Sequence, residues 1–305
     1  MLISQKLEAM TADSKDARAT VGAFMLEQRT NLQNLSMQQV ADAAYTSRPT
    51  LVRIAKKLGY SGWNELVKKF VEECRYYENH FGHIDPNSPF EKGDSPPVIA
   101  DKVGHVMIES ILDTMDMLNM DDLTHAAALL AHAERVAMLC ISPNLILAEL
   151  FQRKMLQIGV YVEIIRQPEQ FFHAVSLGEQ DCAIVISYSG NNANRAPMRY
   201  LPCLEEQKVP VIAITSAGDN LLRSQADYVL TMSSREKLYS KIATFATEDS
   251  IAFLLNALYA CCFALDYDRN LQYKIGASRE IERQRSTSLR DAMEEQFPLN
   301  QQCAP

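Results

Sequence analysis

Positions 82–97, written GHIDPNSPFEKGDSPP, constrain this chain more than any other stretch, because they hold four prolines and two glycines. Proline fixes φ and removes a backbone donor, so neither a helix nor a sheet ladder continues through such a segment. The chain is divided there. Residues before the break read as helical, and those after it alternate between helix and strand. With 305 residues in all, neither side is too short for a core of its own. The boundaries that follow are a helical domain at 1–78, a linker at 79–97 and an α/β domain at 98–305.

Charge follows the same division. Residues 1–75 hold 11 Lys/Arg against 8 Asp/Glu, and residues 76–305 hold 19 against 30, so a net +3 sits beside a net −11 within the total of −8. A basic module joined to an acidic one points to a nucleic-acid partner for the first part. The excess of three is small and supports that reading without establishing it.

Beyond the break, Ile99, Val103, Val106, Met107, Ile111, Leu112 and Met115 recur at helical spacing across 98–118. An Ala-rich helix with an Asp cap is expected at 121–132. Runs rich in Val and Ile then occur at 135–141, 160–165, 182–186, 210–214 and 228–231. They lack alternation, as strands buried on both faces do. Helical patterns at 144–158, 168–178, 195–207 and 219–225 separate them, which predicts a parallel sheet with helices on both sides. Two further helices are expected at 244–266 and 276–294, with a frayed tail from Gln296.

The seven cysteines, Cys74, Cys140, Cys182, Cys203, Cys261, Cys262 and Cys303, are odd in number and irregular in spacing. They suit buried thiols in a reducing compartment better than a disulfide scaffold. His80 and His83 follow Cys74, but the second cysteine pair of a zinc site is missing, so no metal and no cofactor is expected. Met1 to Met10 has Lys6 without an apolar run behind it, and the longest apolar stretch, 251–265, is interrupted by Asn256. That stretch falls short of the ~20 residues a membrane helix needs. The expectation is a soluble, cytoplasmic protein with no membrane partner.

The region 35–70 carries the first chemistry. Ser36 can cap a helix over 37–44, a break follows at Tyr45-Thr46, and Ser47 can cap a second helix over 48–58 with Pro49 in its first turn and Gly59 after its end. Two short helices joined by about three residues form a helix-turn-helix, whose second helix enters the major groove. Arg48, Thr50 and Arg53 lie where base edges are read, and Ser47, Lys56 and Lys57 where phosphates are met. Leu51, Ile54 and Leu58 face the core. A small helical bundle with a basic face would share these features. The string SMQQVADAAYTSRPTLVRIAKKLGYSGWNEL goes further, since it resembles the N-terminal domain of the RpiR family of bacterial regulators. Ser47, Thr50, Val52, Arg53, Lys57, Leu58, Gly59, Tyr60, Ser61, Gly62 and Trp63 all fall on that family's pattern. Thr46 departs from it, at a position usually aliphatic.

The second motif is Asp181-Cys-Ala-Ile-Val-Ile-Ser-Tyr-Ser-Gly-Asn-Asn-Ala-Asn194. A buried strand runs into Ser187-Tyr188-Ser189-Gly190, with a helix expected to begin near Asn194. Hydroxyls, the free N–H groups of Gly190, Asn191 and Asn192, and a helix N-terminus would together suit an anion. The carboxyl ends of parallel strands are also where open sheets bind ligands. A capping turn alone would look the same. Residues 98–265, however, resemble a sugar isomerase (SIS) domain, which RpiR-type regulators carry as their effector domain.

The resemblance implies a fold of class α + α/β: an all-helical helix-turn-helix domain, then a three-layer α/β/α SIS domain with a parallel sheet. It implies that Ser187, Ser189 and Asn192 hold a sugar phosphate, with Gly190 and Asn191 in the same loop; Asn192 replaces the usual Thr. The family's Gly-rich turn after the first strand is Ser142-Pro143-Asn144 here, so that side of the pocket is altered, with Ser142 or Asn144 as the substitute. The acidic residue that often follows the loop is Asn194, which cannot act as a general base. Glu248, Asp249 and His173 are the other candidates for a base; Glu248 is retained as a candidate ligand residue, and no catalytic residue is expected. The implied partners are a double-stranded DNA operator, a phosphorylated sugar and further copies of the chain, in a homodimer or homotetramer. An isomerase with an accessory helical domain is the competing reading. A regulator whose sensing pocket has become a dimerisation module is a third.

Overall fold

In the computed structural model, residues 3–13, 17–80, 84–166, 170–233 and 235–282 are described. The first part consists of α1 (Ile3–Asp13), α2 (Ala17–Gln28), a 3₁₀ turn (Arg29–Asn34), α3 (Met37–Ala43), α4 (Arg48–Lys57) and α5 (Trp63–His80). Their apolar stripes meet in one cluster that includes Leu7, Met25, Leu32, Val40, Leu51 and Phe70. In α5, Trp63, Leu66 and Phe70 recur at helical spacing and all are buried. Glu73, also on α5, accepts from the N–H groups of Ile3 and Ser4 at 2.6 and 2.9 Å, which closes the open end of α1.

The helix-turn-helix is α3 and α4. Ser36 and Gln39 form a reciprocal capping box at the start of α3, the Gln39 N–H donating to Ser36 Oγ at 3.2 Å and the Ser36 N–H to Gln39 Oε1 at 2.8 Å. At the end of α4 the Gly59 N–H donates to the Lys56 carbonyl at 3.1 Å and the Tyr60 N–H to that of Ala55 at 3.0 Å, with Gly59 at φ +93°. This is the Schellman arrangement, in which a left-handed residue lets the chain satisfy the last carbonyls. The same pair of bonds ends α3: Tyr45 N–H to Asp42 O at 3.2 Å and Thr46 N–H to Ala41 O at 2.8 Å. Here the left-handed position, φ +50°, is filled by Tyr45.

The second part begins with α6 (Pro96–Met117), two residues earlier than the apolar spacing indicates, because Pro96 and Pro97 suit a first turn where N–H groups are unpaired anyway. Then follow α7 (Met120–His132), β1 (Val136–Leu139), α8 (Asn144–Leu156), β2 (Val162–Ile165), α9 (Gln170–Ser176), β3 (Cys182–Ser187) and a 3₁₀ turn (Met198–Tyr200). The chain continues with α10 (Leu201–Glu206), β4 (Val211–Ser216), α11 (Leu221–Gln225), β5 (Tyr228–Met232), α12 (Phe245–Leu265) and α13 (Tyr267–Glu282). The strands form one sheet in the order β2-β1-β3-β4-β5, all parallel, with Val136 opposite Cys182 and Ala183 opposite Val211. Successive side chains point to opposite faces, so the strands feed two cores. Met138, Ile184 and Ile214 pack with Phe151, Ile251 and Leu255. Leu139, Val185 and Ala213 pack with Leu201, Leu204 and Leu222 on the other side.

Three expectations change. The cap of α7 is Asn119, whose side chain accepts from the N–H groups of Asp121 and Asp122, not an Asp. Asn256 interrupts the apolar run but not the helix: it is exposed, bonded to Lys154, and α12 runs through it for 21 residues, longer than the expected stretch. That helix is long and apolar enough to cross a membrane by length and composition, and in this fold it packs against α6, α7 and α8. The helix expected at 276–294 is the latter part of α13, which begins at Tyr267; positions 283–294 and the tail from Gln296 lie outside the described residues, as do 81–83 of the linker and 167–169.

Packing does not offset the backbone conformation of Tyr45, whose side chain is 90% exposed. A left-handed residue with a Cβ costs on the order of 1 kcal/mol. Tyr45→Gly is expected to stabilise the helical domain by about 1 kcal/mol. Urea unfolding followed by the fluorescence of Trp63, the chain's one tryptophan and a core residue of this domain, measures it; an unchanged midpoint would show the turn to be unstrained.

Candidate functional site

The face of α4 left uncovered by the helical core carries most of the residues expected at DNA. Leu51, Ile54 and Ala55 are buried, Leu58 is half-buried against the same cluster, and Ser47, Arg48, Arg53, Lys56 and Lys57 are exposed, with Thr50 half-buried. Ser47 occupies the cap position without capping: its own carbonyl takes the N–H groups of Thr50 and Leu51 at 2.9 and 3.2 Å. The Ser47 hydroxyl instead lies 3.0 Å from that of Thr50, which accepts from Arg53 Nη2 at 3.1 Å. Two hydroxyls and a guanidinium thus form a preassembled string along the first turns of an exposed helix. Arg supplies a planar fork for a base edge, and Lys supplies a point charge for phosphate.

The second site follows from strand order. From β1 the chain moves to one side for β2 and to the other for β3, so the loops leaving the carboxyl ends of β1 and β3 diverge. In an open parallel sheet a crevice opens at such a switch point. Ser142 and Asn144 leave β1 there, and Ser187 to Asn192 leave β3. Ser142, Asn191 and Asn192 are exposed, and Asn144, Ser187 and Ser189 are half-buried. Among the described residues the Ser189 hydroxyl has no hydrogen-bond partner.

The helix dipole expected at this crevice comes from a different element. No helix begins near Asn194: the backbone stays irregular to a short 3₁₀ turn at Met198, and α10 is only six residues long. The N-terminus facing the switch point is that of α8, 13 residues starting at Asn144, whose first N–H groups have no carbonyl within their own helix. Nor are all the loop's N–H groups free, since that of Gly190 donates to Ser187 Oγ at 3.3 Å.

Gly190 also serves a different purpose from the expected close approach of an anion. Its φ is +61°, and a Cβ there would stand 2.3 Å from Asn220 Oδ1 and 2.9 Å from Thr215 Oγ1. The glycine makes room for the protein's own Asn220, which is buried and bonded to Thr215 Oγ1 and the Arg223 N–H. Asn191 is similarly engaged, its Oδ1 accepting from the Leu221 N–H at 3.0 Å. The β3 loop is therefore sewn to the loop after β4.

Of the acid-base candidates, His173 lies 3.5 Å from Glu163 on β2. Glu248 is exposed in the first turn of α12 and accepts from the Thr244 hydroxyl. Half-burial, and then the charge of Glu248, raise the carboxyl of Asp249 above the usual range. Residues that sequence reasoning did not single out stand closer to the loop. Tyr188 donates its hydroxyl to the Glu236 carbonyl at 2.5 Å, and Lys241 Nζ lies 5.5 Å above its ring. Burial, and then Glu236, push that phenol upward, so it stays a donor. Forty-eight residues separate Tyr188 from Glu236 in the chain, and no local pattern announces the pairing.

Comparison with known proteins identifies both parts of the chain. Residues 1–74 match the helix-turn-helix domain of the rpiR family, and residues 129–258 match the SIS domain. A Caldanaerobacter subterraneus protein named as an uncharacterized HTH-type transcriptional regulator is 26% identical over 259 residues, 82% of this chain and 89% of its own. The Vibrio vulnificus NanR protein complexed with ManNAc-6P superimposes with a TM-score of 0.56 at 16% identity, over 93% of this chain and all of that one. The sugar isomerase domain of an RpiR transcription factor from Sphaerobacter thermophilus gives 0.52 at 17%, over 59% of this chain and 98% of that one. The second part has the SIS fold.

The contact at Gly190 is directly testable. Gly190→Ala must displace Asn220 and also hold a left-handed alanine, so a loss of roughly 3 kcal/mol is expected. Calorimetric unfolding of the full chain reads it as a lower transition for the α/β domain, and an unaltered thermogram would mean that the Asn220 contact is not formed.

Proposed function

A chain that joins an rpiR-family helix-turn-helix domain to a SIS domain belongs to the RpiR family, and we propose that it is a cytoplasmic transcription regulator whose grip on an operator responds to a phosphorylated sugar in the β1/β3 crevice. The observation that carries the reading is α4, which presents Arg48, Arg53, Lys56 and Lys57 on the face its domain leaves open. Operator recognition falls to Arg48, Thr50 and Arg53, with Ser47, Lys56 and Lys57 on phosphates. The sugar phosphate is met by the N-terminus of α8 with Ser142 and Asn144, and by Ser187, Ser189 and Asn192. Gly190 and Asn191 shape the loop, and Glu248 in the first turn of α12 is kept as a candidate ligand residue. The Vibrio vulnificus NanR protein, which has this fold and is complexed with ManNAc-6P, supports this ligand class.

Catalysis is not part of the proposal. An isomerase needs a base held at a substrate C–H. Asn194, which stands where an acidic residue often follows the loop, cannot serve. Relatives of this chain are named as transcriptional regulators. The domain division at 79–97 is retained in this reading. So is a homodimer or homotetramer, because a helix-turn-helix reads one half-site at a time. Met107, Ile108 and Met115 on α6 and Leu265 on α12 are uncovered apolar side chains available for such an interface.

Two arms test the reading. On an operator selected from random-sequence DNA, Arg53→Ala is expected to lose about 1–3 kcal/mol and relax base preference, whereas Lys57→Ala weakens all sequences alike. The second arm is calorimetry with ManNAc-6P, glucose 6-phosphate and ribose 5-phosphate. There Ser187→Ala/Ser189→Ala should weaken whichever sugar phosphate binds the unaltered chain by at least tenfold, leaving ligand-free operator affinity unchanged. Undiminished operator affinity in Arg53→Ala would remove α4 from the interface, and undiminished sugar-phosphate affinity would place the pocket elsewhere.

A further inference from the structure

The segment between β5 and α12 holds two distant parts of the chain at once. Towards the crevice, the Glu236 carbonyl accepts the Tyr188 hydroxyl. The Glu236 carboxylate is buried and accepts from the N–H groups of Ala246 and Thr247 at 2.7 and 3.2 Å and from Thr247 Oγ1 at 2.7 Å. It also receives Lys241 Nζ at 2.8 Å, the ammonium that lies above the Tyr188 ring. One carboxylate therefore closes the N-terminus of α12, anchors its own segment and belongs to the residue whose carbonyl holds the crevice loop.

Towards the linker, the segment closes around Asn87. This side chain is 6% exposed, although it belongs to the stretch between the two domains. Its Oδ1 accepts from the Lys237 N–H at 2.6 Å, its Nδ2 donates to the Arg235 carbonyl at 3.4 Å, and its carbonyl accepts from the Ile242 N–H at 2.8 Å. Asp85 Oδ1 fixes the amide by accepting from its backbone and side-chain N–H groups at 2.9 and 2.7 Å. A buried amide with these bonds is either in place or out, since a half-broken set leaves buried polar groups without partners. Arg235, in the same segment, is paired with Glu109 of α6 at 2.8 Å.

We propose that Asn87 is a latch: the 235–244 segment, held at Tyr188 of the crevice loop, grips the linker at Asn87 and so sets how far the DNA-binding domain can stand from the SIS domain. The consequence for DNA rests on the regulatory reading above; the latch itself does not. The lengths show why the grip matters. From His80, where α5 ends, to Asn87 is seven residues, and to Pro96, where α6 begins, sixteen. At roughly 3.5 Å per extended residue these allow at most about 25 Å and about 55 Å of reach. Two recognition helices must meet half-sites roughly 34 Å apart. A tether fixed at Asn87 restricts the arrangements that satisfy this, and a released one widens them. Tyr188 follows directly on Ser187, so rearrangement of the crevice loop acts first on the bond to Glu236.

Hydrogen exchange of the full-length chain, read on peptides covering 84–95, tests the latch without any ligand. Tyr188→Phe removes one hydroxyl far from the linker in sequence, and Asn87→Ala opens the latch directly. Each is expected to speed exchange at 84–95 at least tenfold, and the double variant to exchange no faster than Asn87→Ala alone, as two changes in one connected unit do. Wild-type exchange in Tyr188→Phe, or two effects that multiply, would overturn the proposal. If Asn87→Ala does not fold, Tyr188→Phe compared with Lys241→Met gives the same decision, since both loosen the segment from the crevice side. Affinity for the selected operator is then measured; a shift of threefold or more in the same variants is expected, and none at all would reduce the latch to a brace and overturn its regulatory role. Should the unaltered chain select no DNA, the regulatory reading fails while the exchange result still decides whether the latch exists.

Discussion

Parallel strands can be joined only by crossovers that carry the chain back to its starting edge, and the second domain is organised by that requirement. All five strands therefore release their loops along one side of the sheet. The reversal of strand order at β1 and β3 separates two of those loops and leaves a crevice between them. The β3 loop cannot close this gap, because its path is set by Gly190 against Asn220 and by Asn191 against the first turn of α11. The N-terminus of α8 points to the same place for the same topological reason. A crevice thus arises from strand order, before any particular side chain is considered.

Around that crevice the buried polar groups are paired with backbone from distant parts of the chain. Glu236 and Asn87 are both deeply buried, and each meets a set of backbone donors or acceptors. Buried polar groups of this sort gain little net stability when satisfied and lose much when a partner leaves. They are suited to specifying one arrangement of chain over another. Asn87, in a stretch whose prolines interrupt regular structure, acquires a fixed position by this means. On α4 the arrangement is the opposite: its apolar side is packed into the helical core, and its basic side is left to water.

Much of this was legible in the residues. The five strands were marked by Val/Ile runs, since strands covered on both faces have no polar side to show. The helix-turn-helix was marked by Ser36, Pro49 and Gly59, whose effects act within a few residues of themselves. Ser47 misled, because the cap position and the cap bond are separable: the Thr50 N–H turned to the Ser47 carbonyl and left the hydroxyl free for Thr50 Oγ1. Residues 194–197 misled as well. Apolar spacing suggested a helix, but the chain there includes Pro197, and the α-helix waits until Leu201.

By itself the sequence determined what depends on near neighbours: the interruption of regular structure at the prolines, the helix boundaries set by caps, the strands set by unbroken apolar runs, and the contrast in charge between the two parts of the chain. Tertiary structure alone decided which helix end faces the crevice, why residue 190 must be glycine, and where Asn87, Tyr188 and Glu236 meet. These are contacts between residues 30 to 150 positions apart. Spacing patterns report on one turn of helix or one pleat of strand. Pairing at such separations depends on how whole elements pack, and no short-range pattern encodes it.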